Sequence, residues 1–208
     1  VSAARVDDAV RRALRAKIEL GLFEEPFVDP SEAERLNGHA GHRALARKAA
    51  AESVVLLKNE EGVLPLVRGV RSIAVIGPDA VEARLGGYSG PGIRKLTLLE
   101  AIRERVEGEG SGASVRYAEG CGRAAGGGAD RGAAIDEAGR LARVANGAVV
   151  AAGIEEGEGR DRSDIRLPGS QAEMIQLVAA TGTPTVVVLY GGSAVEMSDW
   201  IKEADAVL

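Results

Sequence analysis

Hydrophobic positions follow two different rhythms along this chain. Near the start, Val6, Val10, Leu14 and Ile18 recur at a spacing of four while Arg11, Arg12, Arg15 and Lys17 take the other faces, which predicts an amphipathic helix over residues 3–20. Asp7 and Asp8 read as its first turn, and Gly21 as its stop. One such helix cannot bury its own stripe, so it is expected to belong to a larger body. Leu22 to Pro30, with prolines at 26 and 30, reads as the extended exit from that body. Ser31 to Gly41 is polar and glycine-bearing, the composition of a linker. His42 to Ser53 reads as an alanine-rich helix that feeds the apolar run Val54 to Leu57. Lys58 to Gly62 then reads as a turn and Val63 to Leu66 as a short return segment, together a small hairpin.

After Arg71 the rhythm changes to short β-branched runs that end in glycine and alternate with helical segments. Strands are predicted at 72–76, 114–117, 148–152 and 185–190, with helices at 96–106, 133–145 and 170–180 between them. A helical turn at 200–204 and a further strand from Ala206 follow. Continuous apolar strands alternating with helices predict an α/β fold: a mainly parallel sheet sandwiched between helices, of Rossmann or flavodoxin-like topology, with right-handed crossovers. The loops at the carboxyl ends of its strands are where function is expected. Because the first helix lacks a body and the last strand lacks a successor, the chain reads as an internal piece of a longer protein.

With 208 residues and 45% hydrophobic content, the chain can bury a core of its own. Its 26 basic and 31 acidic residues are interspersed with no basic block, which argues against a nucleic-acid surface. No apolar run approaches the ~18 residues of a membrane span. The N-terminus shows no leader pattern, and the compartment stays open. The single cysteine, Cys121, excludes an internal disulfide and reads as a small buried hydrophobe. His39 and His42 lack a third ligand and read as exposed residues at a helix start rather than a metal site. Glycines around Gly77 and Leu85 to Gly90 miss the dinucleotide-binding spacing, and no Walker lysine is present. The glycine- and alanine-rich tract Ala124 to Gly132 reads as a surface loop rather than a phosphate cradle. Ser193 follows two glycines, but neither histidine falls on a loop this sheet would bring near it.

Carboxylate chemistry remains. Glu155, Glu156 and Glu158 place three carboxylates in four positions on a loop loosened by Gly157 and Gly159, at the carboxyl end of a predicted strand. The plain reading is a solvated acidic loop. The functional reading is a general acid/base, in which one glutamate beside another keeps a proton near neutral pH. Two glutamates on one loop do not straddle a sugar ring, so the opposing carboxylate of a glycosidase would come from a different body.

Several stretches, in this order, carry a resemblance. They are Ala16-Lys17-Ile18-Glu19-Leu20-Gly21-Leu22-Phe23, then Ala50-Ala51-Glu52-Ser53-Val54-Val55-Leu56-Leu57-Lys58-Asn59 with Leu64-Pro65-Leu66, then Ala74-Val75-Ile76-Gly77-Pro78. The most specific is Glu156-Gly157-Glu158-Gly159-Arg160-Asp161-Arg162 with Leu167-Pro168-Gly169-Ser170-Gln171. Together they resemble glycoside hydrolase family 3, the β-glucosidase and β-xylosidase family, over nearly the whole chain. The resemblance implies that residues 1–30 end a (β/α)8 barrel, that 31–71 form the linker, entry helix and hairpin, and that 72–208 form an incomplete α/β sandwich domain. It implies an exo-acting, retaining β-glycosidase without cofactor or metal, whose nucleophilic aspartate lies in the barrel and whose acid/base is a glutamate of the second domain. Glu158, directly before the glycine of Gly-x-Asp-Arg, carries that role over, with Glu156 as the alternative. Arg160 and Tyr88 are candidates to line the sugar cleft, and Asp161 and Arg162 to brace the loop. Ser198-Asp199-Trp200 mimics the triplet around the family nucleophile but follows a late strand, so Asp199 reads as a helix cap. The implied partners are a β-linked oligosaccharide or aryl β-glycoside and the barrel-bearing remainder of the enzyme, without which this chain is expected to be inactive; a homodimer is left open. β-Xylosidase specificity, a non-catalytic carbohydrate-binding or scaffold domain, and a nucleotide binder are the rival readings. Family members acting on N-acetylglucosamine typically use a barrel histidine instead and need no such loop.

Overall fold

The computed structural model describes residues 1–66, 69–92, 94–123 and 131–208. Most of the glycine- and alanine-rich tract, residues 124–130, lies outside the described residues. The chain divides into two compact units, Val1–Val54 and Val55–Leu208.

The first unit is helical. Helix α1 (Ala3–Glu19) is capped by Ser2, whose Oγ accepts from the Arg5 N–H. Because it starts at Ala3, Asp7 and Asp8 fall beyond its first turn, and Asp8 instead pairs with Arg5 and Arg12, both at 3.1 Å. Its stripe of Val6, Val10, Leu14 and Ile18 is exposed. The expected linker holds a helix, α2 (Pro30–Leu36), entered through Asp29, whose Oδ1 accepts from the Ser31 N–H at 2.9 Å. The polar, glycine-bearing composition of 31–41 pointed to a linker, and Pro30, read as the end of an extended exit, equally suits the first helical position, where its missing N–H costs nothing. Helix α3 (Ala40–Ser53) is capped by His39, whose Nδ1 accepts from the Gly41 N–H at 3.2 Å.

The second unit is a six-stranded sheet. Its strands are β1 (Lys58–Asn59), β2 (Ser72–Ile76), β3 (Ser114–Ala118), β4 (Gly147–Gly153), β5 (Thr185–Tyr190) and β6 (Ala206–Val207), in the spatial order β1-β6-β5-β4-β2-β3. Every pairing is parallel except β1 with β6, so the expected α/β sandwich is found. The expected hairpin is not. Lys58 pairs with Val207, and residues 59–64 are closed instead by the Asn59 carboxamide, which exchanges two 2.9 Å hydrogen bonds with the Leu64 backbone. An apolar run followed by a turn looks the same in sequence whether the partner strand is adjacent or distant.

The strands alternate their side chains between two cores. Ala74, Ile76, Ala148, Val150, Ala152 and Val187 face helices α5 (Arg131–Arg143) and α6 (Gln171–Ala179) together with Trp200. Ile73, Val75, Val149 and Ala151 face helix α4 (Leu98–Gly108), which Thr97 and Glu100 start with a capping box. Cys121 is buried in the first of these cores. The predicted helical turn near Trp200 is a run of turns that opens at Met197, whose carbonyl accepts from the Ile201 N–H at 2.8 Å; Asp199 does not cap a helix. No helix among the described residues is long and apolar enough to cross a membrane.

The chain runs from β2 out to β3, then back past β2 to β4, so the winding reverses between β2 and β4 and the loops leaving their carboxyl ends diverge there. Gly77 makes that exit possible. Its φ is +109°, and a Cβ there would collide with the Ala151 carbonyl of β4. Gly77→Ala is expected to cost about 2–3 kcal/mol and lower the melting temperature by roughly 5–10 °C, read by thermal unfolding.

Candidate functional site at the carboxyl ends of the strands

Four parallel strands deliver their ends to one polar cluster. Asp79, in the turn after β2, is 1% exposed and lies between two guanidinium groups: Arg84 Nε at 3.0 Å and Arg123 Nη2 at 2.8 Å. Arg84 also donates to the carbonyls of Ile154 (2.7 Å) and Tyr190 (3.3 Å), tying β4 to β5, and its guanidinium carbon lies 6.0 Å from the centre of the Tyr190 ring. Arg123, after β3, pairs further with Glu82 and Glu155. Burial pushes the Tyr190 hydroxyl up in pKa, and the Asp79 charge adds to this while Arg84 opposes it. The crevice where a doubly wound sheet holds a nucleotide is thus bridged by the protein's own side chains.

The acidic loop leaves β4 at Gly153 and is held at both ends by Gln171. This fully buried carboxamide accepts from the Gly153 N–H (2.8 Å) and donates to the carbonyls of Gly153 (2.9 Å) and Pro168 (3.2 Å). Sequence reasoning assigned Gln171 no role. The signal was there: it lies three and four positions before Met174 and Ile175, on the buried stripe of α6, where a polar residue needs partners.

Within the loop the two glutamates are treated differently. Glu156 accepts from the Gly192 N–H at 2.7 Å and from the Ser193 hydroxyl, with Arg162 Nε at 3.6 Å. The Ser193 hydroxyl is the main cause that holds its carboxyl below the usual glutamate range; the Gly192 N–H and Arg162 act the same way, against partial desolvation. The mutual elevation expected between neighbouring glutamates is therefore not what governs Glu156. Glu158 instead occupies the corner of a tight turn closed by the Arg160 N–H donating to the Gly157 carbonyl at 2.9 Å. The next residue, Gly159, has φ +72°, the value that makes glycine the natural third residue of such a turn. Glu158 is exposed and, among the described residues, makes no ion pair.

The other predicted positions separate. Arg160 sits on the same turn, exposed. Tyr88 is 87% exposed in the loop before α4, beside a turn in which the Ser89 N–H donates to the Gly86 carbonyl. Arg162 braces the loop by donating to Ser193 Oγ and the Ala194 carbonyl, both at 2.8 Å. Asp161 makes no such link among the described residues; with Arg123, Glu155 and Trp200 it lines a cavity of about 730 Å³ below the loop. His39 and His42 are exposed, and among the described residues no group of three or more His, Cys, Asp or Glu could hold a metal ion.

Residues 54–208 match the glycosyl hydrolase family 3 C-terminal domain. This chain belongs to glycosyl hydrolase family 3. Its relatives in that family include a periplasmic beta-glucosidase of Salmonella typhimurium, 34% identical over 100% of this chain and 30% of its own length. A beta-xylosidase of Formosa agariphila is 34% identical over 98% of this chain and 29% of its own length. Among solved structures, a β-glucosidase from Listeria innocua in complex with isofagomine superposes with a TM-score of 0.83 at 27% identity, over 100% of this chain and 28% of that one. A β-glucosidase from Erythrobacter marinus gives 0.82 at 34% identity, over 94% and 30%. The chain thus spans less than a third of the length of each of these glycoside hydrolases.

In this family 3 domain the Asp79 cluster is a buried charge arrangement, and removing its centre leaves two guanidinium groups facing each other. Asp79→Asn is expected to destabilise the domain by about 3–5 kcal/mol, measured by denaturant unfolding, whereas Glu82→Gln at the exposed rim should change stability by less than about 1 kcal/mol.

Proposed function

We propose that this chain is the part of a retaining, exo-acting β-glycosidase of β-glucosidase type that supplies the general acid/base, Glu158, to a nucleophilic aspartate carried on a (β/α)8 barrel outside the chain. The observation that carries this reading is the unequal treatment of the two glutamates. Glu156 is ionised and committed to Gly192, Ser193 and Arg162, while Glu158 is presented at the corner of a turn with its carboxylate free to meet a ligand. In this reading residues 1–30 complete the barrel, 31–71 connect it to the second domain, and 72–208 are that domain. The Salmonella relative supports the assignment, since it aligns with the full chain and not only with the matched domain.

The chemistry follows from two carboxyl groups ~5–5.5 Å apart on opposite faces of a sugar ring. Protonated Glu158 gives its proton to the glycosidic oxygen as the C–O bond breaks and the barrel aspartate bonds to the anomeric carbon. Glu158, now a carboxylate, takes a proton from water as that water displaces the aspartate, which restores both groups and retains the β configuration. The substrate is a β-linked oligosaccharide or an aryl β-glycoside, with Tyr88 as an apolar platform and Arg160 as a hydroxyl contact at the cleft. No cofactor enters these steps. β-Xylosidase specificity is the second reading, favoured by the Formosa relative, because the residues that read the sugar would lie mostly on the barrel.

In the barrel-bearing enzyme, Glu158→Gln is expected to lower kcat on an alkyl β-glucoside by roughly 10²–10⁴-fold. With Glu158→Ala and an activated aryl glycoside, azide should restore turnover and yield β-glucosyl azide, because an anionic nucleophile needs no general base. Retention of full activity by both variants would refute the assignment, as would hydrolysis of aryl β-glycosides by these 208 residues alone.

A further inference from the structure

Gly157 and Gly159 deprive the Glu158 turn of stiffness of its own, since neither carries a Cβ and neither position meets a neighbouring side chain. Gln171 fixes the loop only at its two roots, Gly153 and Pro168. Between those roots the Ile165 carbonyl accepts from the Glu196 N–H at 2.9 Å and Glu155 pairs with Arg123 at 3.5 Å, and the contacts that flank the turn itself are a pair of posts standing on either side of it. Glu156, one residue before the turn, reaches across to the segment after β5 and accepts from the Gly192 N–H at 2.7 Å and from the Ser193 hydroxyl. Arg162, two residues after the turn, reaches the same segment and donates one Nη2 to both Ser193 Oγ and the Ala194 carbonyl, each at 2.8 Å. Both posts therefore meet at one hydroxyl. Because Arg162 donates to Ser193 Oγ, the Ser193 proton is left to point at Glu156, so the hydroxyl relays between the two as acceptor from one and donor to the other. Arg162 is the charged group facing the Glu156 carboxylate, at 3.6 Å, and only 16% of its side chain is exposed, so the pair is shielded better than an ordinary surface ion pair.

We infer that Glu156, Ser193 and Arg162 form a latch that positions the turn bearing Glu158, with Glu156 a positioning residue rather than an alternative acid/base. The inference rests on Glu158 being the acid/base. Its consequence is that proton delivery in one loop is set by a serine in another: the segment between β5 and β6 determines where the acid stands. Loss of the latch displaces the acid without removing it, so the effect falls on the chemical step and not on sugar affinity, which is governed by groups elsewhere.

Two measurements test this. In the 208-residue chain, hydrogen exchange of the Gly192 and Arg160 amides should quicken by roughly tenfold or more in Glu156→Ala and Ser193→Ala. Unchanged exchange in both would overturn the latch. In the barrel-bearing enzyme the same two variants should lower kcat roughly 10–100-fold with KM within about threefold of wild type, and azide should not restore them. Ser193→Thr, which keeps the hydroxyl, should return most of the turnover. Wild-type kcat in Glu156→Ala despite a loosened turn would overturn the positioning role. Azide rescue of Glu156→Ala instead of Glu158→Ala would overturn both this inference and the assignment of Glu158. Full activity in Glu158→Ala alongside faster amide exchange in Glu156→Ala would remove the acid/base assignment while leaving the latch as a physical contact.

Discussion

A carboxylate that is 1% exposed has to be met by charge, and the way Asp79 is met determines how this domain is put together. Its two guanidinium partners come from separate segments, Arg84 beyond the same strand and Arg123 beyond β3, and each then extends to a further strand end. Arg84 engages the carbonyls of Ile154 and Tyr190, and Arg123 reaches Glu155 at the foot of the acidic loop. Strand ends that diverge at a winding reversal are drawn together by one buried anion. The same arrangement bridges the crevice at the winding reversal with the protein's own side chains.

The loop at those strand ends shows how two chemically identical side chains acquire different surroundings. A glutamate that accepts from a backbone N–H and a hydroxyl beside an arginine is stabilised as an anion, and so is poorly suited to holding a proton in readiness near neutral pH. A glutamate at the corner of a turn has no such commitment. Separation by one glycine is enough to send the first toward the β5 segment and leave the second facing outward.

Most of the second unit was legible in the sequence because β2, β4 and β5 are almost wholly apolar, and such runs punctuated by glycine have few other interpretations. The pairing of β5 with β4 over Thr185–Tyr190 realises a strand whose limits could be read from valine and leucine alone. What sequence could not supply were relations between distant residues. Lys58–Asn59 looked like half of a hairpin because nothing local says that its partner is β6. Helix α2 was hidden by a polar, glycine-bearing composition and by a proline whose two uses have the same spelling. In the site, the acidic loop was visible as a composition, but the different fates of Glu156 and Glu158 depend on Ser193, which the sequence offered only as a nucleophile without a base.

The pairing of β1 with β6 has a consequence for how the domain is assembled. Lys58 and Asn59 meet Val207 and Ala206 across nearly the whole length of the second unit, and Lys58 Nζ also reaches the Ile201 carbonyl at 2.7 Å. A contact between such distant points closes a long loop, and its entropic cost is offset only once the intervening strands have already condensed. During synthesis, β1 leaves the ribosome long before its partner exists. The first strand of this sheet in chain order is thus among the last to be placed, and until then the edge of β6 that will receive it is open.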